Sequence, residues 1–249
     1  MFKHRNLKDI LPLKRLFIKT ELKEKSLIKL SSLNTHYIFN VLRIREKEKL
    51  SIFNGIEGEW ECTIKHLTKK KCLVLIEKQI KKQEKEKILN IIYTPIKGQR
   101  NYYLIEKITE LGISNIFPVI TERSVIKEFN YKRANNCAIA AAQQSGRLSV
   151  PKIHEMKSLK NLFAIWNKKN QIIFCDETEK KKNFNNFLIF KKNINTIIIG
   201  PEGGFSLLEN NFLKSLNYIN ALSLGNRVLR ADTAAISALT LLKNKNKYE

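Results

Sequence analysis

The most informative segment of the chain, residues 196–233, reads TIIIGPEGGFSLLENNFLKSLNYINALSLGNRVLRADT. Its first four residues are apolar or β-branched without polar alternation, which is typical of a strand covered on both faces. Three glycines then follow within residues 200–204, and they allow backbone conformations and a close ligand approach that a Cβ would block. Ser206 and Glu209 have the spacing of a capping box, so we predict that a helix begins there.

The same pattern repeats immediately. Residues 221–224 predict a short strand, Gly225 interrupts it, and residues 230–242 have the apolar spacing of a helix. Loops at the carboxyl ends of neighbouring strands are where an α/β sheet usually forms a ligand site. The segment therefore predicts a binding site made of two glycine-containing loops.

The chain before this segment divides into two kinds of pattern. From residue 88 onward strands and helices alternate, which predicts a mostly parallel sheet with helices on both faces. The first 80 residues predict a small β-rich module with a short helix capped by Asn34, and residues 78–87 are nearly all charged or amide-bearing. We place the domain boundary there, with domains at 1–80 and 81–249. The predicted strands of the second domain are 88–93, 116–120, 171–175 and 195–199, and its other helices are 102–111 and 131–144.

The net charge of +23 favours a polyanionic partner, because neutralising phosphates is the usual use of such an excess. A coding bias toward lysine is the alternative reading. The four cysteines form no CxxC pair and the four histidines are scattered, so we expect reduced thiols and no metal site. Cys62 and Cys72 can face each other across strands, but core thiols are the favoured reading. No segment has the length and hydropathy of a membrane span or the apolar core of a signal peptide, so a cytoplasmic location is expected.

Familiar cofactor motifs are missing from the sequence. No GxGxxG follows the first predicted strand, and neither a P-loop nor a GxSxG elbow occurs. The groups available for chemistry near the glycine loops are the carboxylate of Glu202 and the guanidinium groups of Arg227 and Arg230.

Five blocks of sequence carry a resemblance to a known family. They are HYIFNVLR (36–43), KITELGISNIFPVITERSVIK (107–127), AAQQSGR (141–147), GPEGGFS (200–206) and LGNRVLRADTA (224–234). In this order they resemble the RsmE family, S-adenosylmethionine-dependent methyltransferases of the SPOUT class that methylate N3 of a uridine in 16S ribosomal RNA. Asp232 stands where the family more often has Glu, and Gln143 where Glu is frequent.

The resemblance implies an N-terminal PUA-like β-barrel and a C-terminal α/β domain whose chain forms a trefoil knot. It also implies a homodimer, the small ribosomal subunit as partner, and S-adenosylmethionine held in the knot by loops 174–176, 199–204 and 224–229. Backbone groups of these loops would bind the cofactor, which would explain their glycines. The implied cofactor-binding residues are Cys175, Ile199, Gly200, Pro201, Glu202, Gly203, Gly204, Leu224, Gly225, Arg227, Val228 and Leu229.

The implied reaction requires a specific kind of residue. The uridine N3 is protonated at neutral pH, so a guanidinium that stabilises the uracil anion would favour methyl transfer. Arg230 is the first candidate and Arg227 the second. Glu202 can accept the proton or anchor its loop, while Asp232 and Thr233 most simply cap the last helix. The expected RNA-binding residues are Arg15, Arg43, Arg45, Arg123 and Arg147.

Two other functions remain open at this point. A SPOUT methyltransferase acting on a ribose 2′-OH would share the cofactor loops but not the HYIFNVLR block. A non-catalytic ribosome-assembly factor would keep the fold and bind RNA only, although the glycines and Arg230 argue against it.

Overall fold

The computed structural model describes residues 14–177 and 194–245, which form two compact units. The first unit extends to Glu86 and also includes Ala142–Val150, whereas the second comprises Lys87–Ala141 and the chain from Pro151 onward. The predicted domain ranges, 1–80 and 81–249, differ from these units because residues 81–86 and 142–150 group with the first unit.

The first unit contains a five-stranded sheet in the order β1-β3-β4-β5-β2. Strands β1 and β3 are parallel, and the other neighbours are antiparallel. Cys62, Thr63 and Ile64 of β4 are all buried, and Cys62 and Ile64 join the apolar core of this unit. The strands are β1 (Arg15–Phe17), β2 (Leu27–Lys29), β3 (Lys49–Phe53), β4 (Glu59–Leu67) and β5 (Cys72–Lys81).

Two details of the first unit bear on the sequence-based reading: the cysteines agree with the favoured reading of reduced core thiols, and the helix cap differs. Cys62 lies opposite Ile76 and Cys72 opposite Leu67, so the two thiols do not face each other, and both are free. Helix α1 (Ser32–His36) is capped by Ser31, whose side chain accepts a hydrogen bond from the Asn34 backbone N–H. Asn34 is therefore inside the helix rather than its cap. A π-helical segment, Tyr37–Leu42, continues from α1.

The second unit is built on a seven-stranded sheet in which every pairing is parallel. The order is β12-β10-β11-β6-β7-β8, and β9 pairs with β7. This confirms the predicted α/β class. The strands are β6 (Asn90–Tyr93), β7 (Asn115–Ile120), β8 (Lys152–Ile153), β9 (Lys157–Ser158), β10 (Gln171–Cys175), β11 (Ile194–Ile199) and β12 (Ile219–Leu222). The helices are α2 (Gln99–Glu110), α3 (Tyr131–Ser145), α4 (Leu159–Ala164), α5 (Leu207–Ser215) and α6 (Ala231–Lys245), and residues 142–145 of α3 group with the first unit.

Both faces of the parallel sheet are covered, which explains its isoleucine-rich strands. Ile92 and Ile198 belong to a buried cluster that also contains residues of α4 and α5. Their strand neighbours Ile91 and Ile197 are fully buried as well, and they point to the opposite face because side chains alternate along a strand. Helix α6 contacts both α2 and β11.

Three boundaries in the second unit bear on the site. The capping box of Ser206 and Glu209 is present as predicted at the start of α5. Strand β12 ends at Leu222, two residues before the predicted end, so Ser223 and Leu224 leave the sheet. Helix α2 begins at Gln99 rather than near residue 102, because Gly98 (φ 73°, ψ −146°) turns the chain directly into the helix.

Candidate functional site

The carboxyl ends of five strands meet at one edge of the parallel sheet. Strands β6, β7, β10, β11 and β12 all run in the same direction, so the loops that follow them emerge together. This edge is the usual position of a ligand site in an open α/β sheet. The two glycine-containing loops of the sequence analysis follow β11 and β12.

A cavity of about 460 Å³ lies at this edge. Its volume is within the range of small-molecule sites. Every residue predicted to bind the cofactor lines it, as does Arg230. Phe174 and Asp176 of the predicted loop 174–176 line it as well. The lining also includes residues that the sequence reasoning did not assign to the cofactor: Arg123, Glu177, Phe205, Asn210, Ser223, Ala231 and Ala234.

The loop after β11 is a hydrogen-bonded turn packed against an aromatic ring. The Gly204 N–H donates to the Pro201 carbonyl at 2.9 Å. A Cβ at position 200 would lie 2.7 Å from the Phe205 ring, so the close approach of that ring requires Gly200. Gly203 differs from the expectation that a Cβ would be blocked in this loop, because an added Cβ there would meet only Arg123 Cδ, at 3.9 Å. The fold itself therefore does not require glycine at position 203.

The loop after β12 presents two cationic side chains to the cavity. Gly225 has φ of +130°, a conformation that other residues rarely adopt, and Ser223 Oγ accepts a hydrogen bond from its N–H at 3.2 Å. Arg227 and Arg230 are exposed and line the cavity. Within residues 14–177 and 194–245, neither guanidinium has a hydrogen bond or an ion pair. Both are therefore available to an anionic ligand.

Arg100 connects the two loops, and the sequence reasoning missed it. Its Nε and Nη2 donate to the two carboxylate oxygens of Asp232 at 3.1 and 2.9 Å, and its Nη1 donates to Glu202. The hydrogen bond from Arg100 holds the pKa of Asp232 below its usual value. Asp232 lies in the first turn of α6, where it also accepts the Thr233 N–H, so its role is wider than the predicted cap. The available signal was an arginine at the end of the loop that follows strand β6.

Arg123 holds the first glycine loop from the other side. Its Nη1 donates to the Gly203 carbonyl at 2.8 Å, and the preceding N–H of Glu122 donates to Glu209 at 2.9 Å. The loop after β7 is thus fixed to the loop after β11. Arg123, predicted as an RNA contact, here stabilises the cavity wall while remaining exposed.

The end of β10 contributes a buried carboxylate and an unreactive thiol. Asp176 is buried, and its Oδ2 lies 2.6 Å from the ammonium nitrogen of Lys214 on α5. Burial raises the pKa of the Cys175 thiol to about 12. Because the thiolate is the nucleophilic form of cysteine, Cys175 can line the cavity but does not act as a nucleophile at neutral pH.

Two of the predicted RNA contacts in the first unit are corrected by the structure. The Arg15 side chain is only 2% exposed, pairs with Glu59 at 2.7 Å and donates to backbone carbonyls of residues 142, 143 and 147. The Arg147 side chain is 9% exposed and donates to Glu86 and Ser149. Both arginines hold the first unit together, because their guanidinium groups are buried and bonded within it.

Arg43 and Arg45 remain suitable for RNA. They are exposed on either side of buried Ile44, and Arg43 ends the π-helical segment with left-handed backbone angles (φ 50°, ψ 42°). In the described part of the chain, no three His, Cys, Asp or Glu side chains lie together as metal ligands would. Over the same residues, no helix combines the length and apolar character needed to cross a membrane.

Comparison with known proteins identifies the fold and the family. The RNA methyltransferase domain model matches residues 83–243, and the RNA methyltransferase PUA domain model matches residues 34–77. Ribosomal RNA small subunit methyltransferase E of Rickettsia conorii is 33% identical over 234 residues, which cover 92% of this chain and 94% of the relative.

Two solved structures share the fold. A Legionella pneumophila methyltransferase in complex with the bound cofactor SAM has a TM-score of 0.82 at 31% identity, covering 92% of this chain and 96% of that one. The ribosomal RNA small subunit methyltransferase E of Neisseria gonorrhoeae, bound to S-adenosyl methionine, has a TM-score of 0.83 at 23% identity, covering 93% and 97%.

The parallel sheet, its cavity and the matching domain models define this protein as an RNA methyltransferase. The chain belongs to the ribosomal RNA small subunit methyltransferase E family, which confirms the resemblance drawn from its motifs.

Proposed function

We propose that this protein uses S-adenosylmethionine to methylate N3 of a uridine in 16S ribosomal RNA. The observation that carries the proposal is the cavity at the carboxyl edge of the sheet, which is lined by two glycine loops and by Arg230, whose side chain has no partner among the described residues. Family membership and the SAM-bound Legionella relative support the cofactor.

The residues around the cavity fit this cofactor. Exposed backbone groups of the two loops can bind adenine and the polar ends of the methionine portion, and Phe174 and Phe205 provide apolar surface. The carboxylates of Asp176, Glu177 and Glu202 suit a ligand that carries positive charge on sulfur and nitrogen. When bound, S-adenosylmethionine supplies an electrophilic methyl group.

Arg230 and Arg227 are the residues we assign to the uracil. The proton on N3 must leave before or during methyl transfer, and a guanidinium near O2 or O4 stabilises the resulting anion. Arg230 is the first candidate for stabilising the uracil anion because it lies where the loop after β12 ends and α6 begins. Its carbonyl accepts a hydrogen bond from the Ala234 N–H at 2.8 Å. Glu202 can take the proton directly or through water. Its ion pair with Arg100 favours an anchoring role in the loop.

RNA recognition is assigned to the first unit and to the charge of the whole chain. The match to an RNA methyltransferase PUA domain, the net charge of +23 and the exposed Arg43 and Arg45 support this assignment. Binding to small ribosomal subunits is therefore expected to weaken steeply as salt increases. Loss of residues 1–80 would reduce methylation far more than cofactor affinity.

The proposal also includes a trefoil knot, a homodimer and a cytoplasmic location, as the family resemblance implies. The dimer is supported by exposed apolar side chains: Leu207 and Leu208 at the start of α5 are 75% and 74% exposed, and Val228 is 77% exposed. Light scattering on the purified protein tests it, and a monomer at micromolar concentration would contradict it.

The reaction is tested by incubating the protein with S-adenosylmethionine and unmodified small subunits, followed by mass mapping of nucleosides. We expect one N3-methyluridine per 16S RNA. A ribose 2′-O-methyl product would instead indicate the related enzyme class, and RNA binding without methylation would indicate an assembly factor. Arg227→Ala, measured beside Arg230→Ala, tests the second candidate on the same loop.

A further inference from the structure

The strongest unassigned feature is the three-way contact of Arg100. This residue lies in the first turn of α2, directly after the loop that follows β6. Its guanidinium binds Asp232 through two nitrogen–oxygen pairs, and its third nitrogen binds Glu202. One side chain thus joins the first turn of α2, the glycine loop after β11 and the first turn of α6.

The contact with Asp232 bears directly on Arg230. Asp232 is two residues beyond Arg230, and its side chain is only 12% exposed. Because the Arg230 carbonyl accepts the Ala234 N–H, Arg230 stands at the boundary where the loop becomes helix α6. The two hydrogen bonds from Arg100 hold Asp232 in place, and so they fix the direction in which helix α6 begins. They thereby also fix the position of the Arg230 Cα, from which the side chain extends.

We propose that Arg100 is a positioning residue that sets the start of α6, and thereby the placement of Arg230, through its pair with Asp232. The proposal rests on the function proposed above. Arg100 itself need not touch RNA or cofactor: it does not line the cavity, whereas Glu202 and Arg230 both do.

The other contacts of the glycine loop make the proposal specific. That loop is also held by Arg123, which donates to the Gly203 carbonyl, and by its own turn between Gly204 and Pro201. Loss of Arg100 therefore leaves two restraints on the cofactor loop. The Asp232 carboxylate, in contrast, forms its ion pair with Arg100 and loses that pair in the variant. Methyl transfer should consequently suffer more than cofactor binding.

The experiment compares Arg100→Ala, Arg100→Lys and Asp232→Asn with the wild type. Single-turnover methylation of small subunits gives the rate, calorimetry gives the affinity for S-adenosylhomocysteine, and melting gives the folded fraction. We expect Arg100→Ala and Asp232→Asn each to reduce the rate about 100-fold, as small misplacements of reacting groups do. Cofactor affinity should change less than about fivefold, because loss of a partly exposed pair costs little in itself.

Arg100→Lys should restore only part of the rate, because an ammonium group cannot form the two-pronged pair with Asp232 and also reach Glu202. Arg133→Ala is the matched control. Arg133 is exposed on α3, donates to the neutral side chain of Gln99 and stacks over the Tyr102 ring at 4.0 Å. The Arg133→Ala variant removes one positive charge near α2 and leaves the Arg100–Asp232 pair intact. Its methylation rate should stay near that of the wild type.

Several outcomes would overturn the proposal. A folded Arg100→Ala with a normal rate, full activity of Arg100→Lys, or an equal loss in Arg133→Ala would each contradict positioning through Asp232. Equal losses of rate and cofactor affinity would make Arg100 a support of the cofactor loop only. If Arg100→Ala does not fold, Asp232→Asn gives the same decision. Absence of methylation by the wild type would overturn the proposed function and this inference together. An active wild type with a normal rate in Arg100→Ala would overturn this inference alone.

Discussion

Replacing Arg15 by alanine should destabilise the first unit strongly. Arg15 forms an ion pair with Glu59, and the two side chains are only 2% and 0% exposed. Ser51 donates to the same carboxylate at 2.6 Å, and Lys81 lies 3.8 Å from its other oxygen. The guanidinium also lies 4.3 Å above the centre of the Phe53 ring. Removal of Arg15 leaves the buried carboxylate with the Ser51 hydroxyl and the exposed ammonium group of Lys81 as its remaining partners.

The cost follows from these contacts. Breaking one side of a buried ion pair typically costs about 3–5 kcal/mol, since the remaining charge has lost both water and partner. The cation–π contact with Phe53 adds about 0.5–2 kcal/mol. Three backbone carbonyls, those of residues 142, 143 and 147, also lose a donor. A loss of about 4 kcal/mol is a large part of the roughly 5–15 kcal/mol that stabilises an ordinary domain.

Urea denaturation of the wild type and Arg15→Ala measures this loss. The double variant Arg15→Met/Glu59→Leu is the control, and it should recover most of the stability because an apolar pair of similar size replaces the ions. RNA affinity, measured where Arg15→Ala is folded, should be unchanged, whereas Arg43→Ala should weaken it. Unaltered stability together with weaker RNA binding by Arg15→Ala would refute the reasoning and restore Arg15 as an RNA contact.

The other predictions concern the cavity. Gly203→Val should change the free energy of unfolding by no more than about 0.5 kcal/mol yet prevent calorimetric binding of S-adenosylhomocysteine, and normal binding would remove this loop from the cofactor site. Gly200→Val should instead destabilise the protein by about 1–3 kcal/mol through its clash with the neighbouring aromatic ring. Arg230→Ala should slow single-turnover methylation about 100-fold with little change in cofactor affinity, and a near-normal rate in a folded variant would exclude the catalytic role. Because Arg100 lowers the pKa of Asp232, their ion pair stabilises the fold above the ordinary carboxyl pKa of 3.8, and this stabilisation is lost as the pH falls through the lower pKa of the folded state. The difference in Tm between the wild type and Arg100→Ala should therefore shrink in strong acid. A difference in Tm that stays constant would contradict this stabilising role.

Local chemistry made the cofactor loops predictable from sequence. Gly200 and Gly225 each interrupt an apolar run. Ser206 and Glu209, three positions apart, mark the start of α5. These signals depend on neighbours in the chain, and so the strands, turns and caps around the cavity could be placed before the structure was known. The end of β12 was two residues in error because the apolar run continues to Leu224, while pairing with β10 ends at Leu222.

Long-range electrostatics could not be predicted in the same way. Arg100 meets Glu202 and Asp232 across 102 and 132 positions of sequence, and no local pattern specifies those partners. Arg15 was assigned to RNA as one of the basic residues of the first domain, but it pairs in the interior with Glu59, 44 positions away. Family resemblance located the loops and left these ion pairs undetermined.

The central pairing of the parallel sheet determines when the protein can first acquire its cofactor. Strand β6 lies beside β11, and Asn90 of one donates to Thr196 of the other across 106 positions of sequence. During synthesis, β6 therefore has no strand partner on its β11 side until the ribosome has produced most of the chain. An unpaired apolar edge of this kind favours aggregation. Because the loop after β11 lines the cavity, we expect the nascent chain to bind the cofactor only after that pairing has formed. Once formed, binding stabilises the completed sheet and selects finished molecules from partly folded ones.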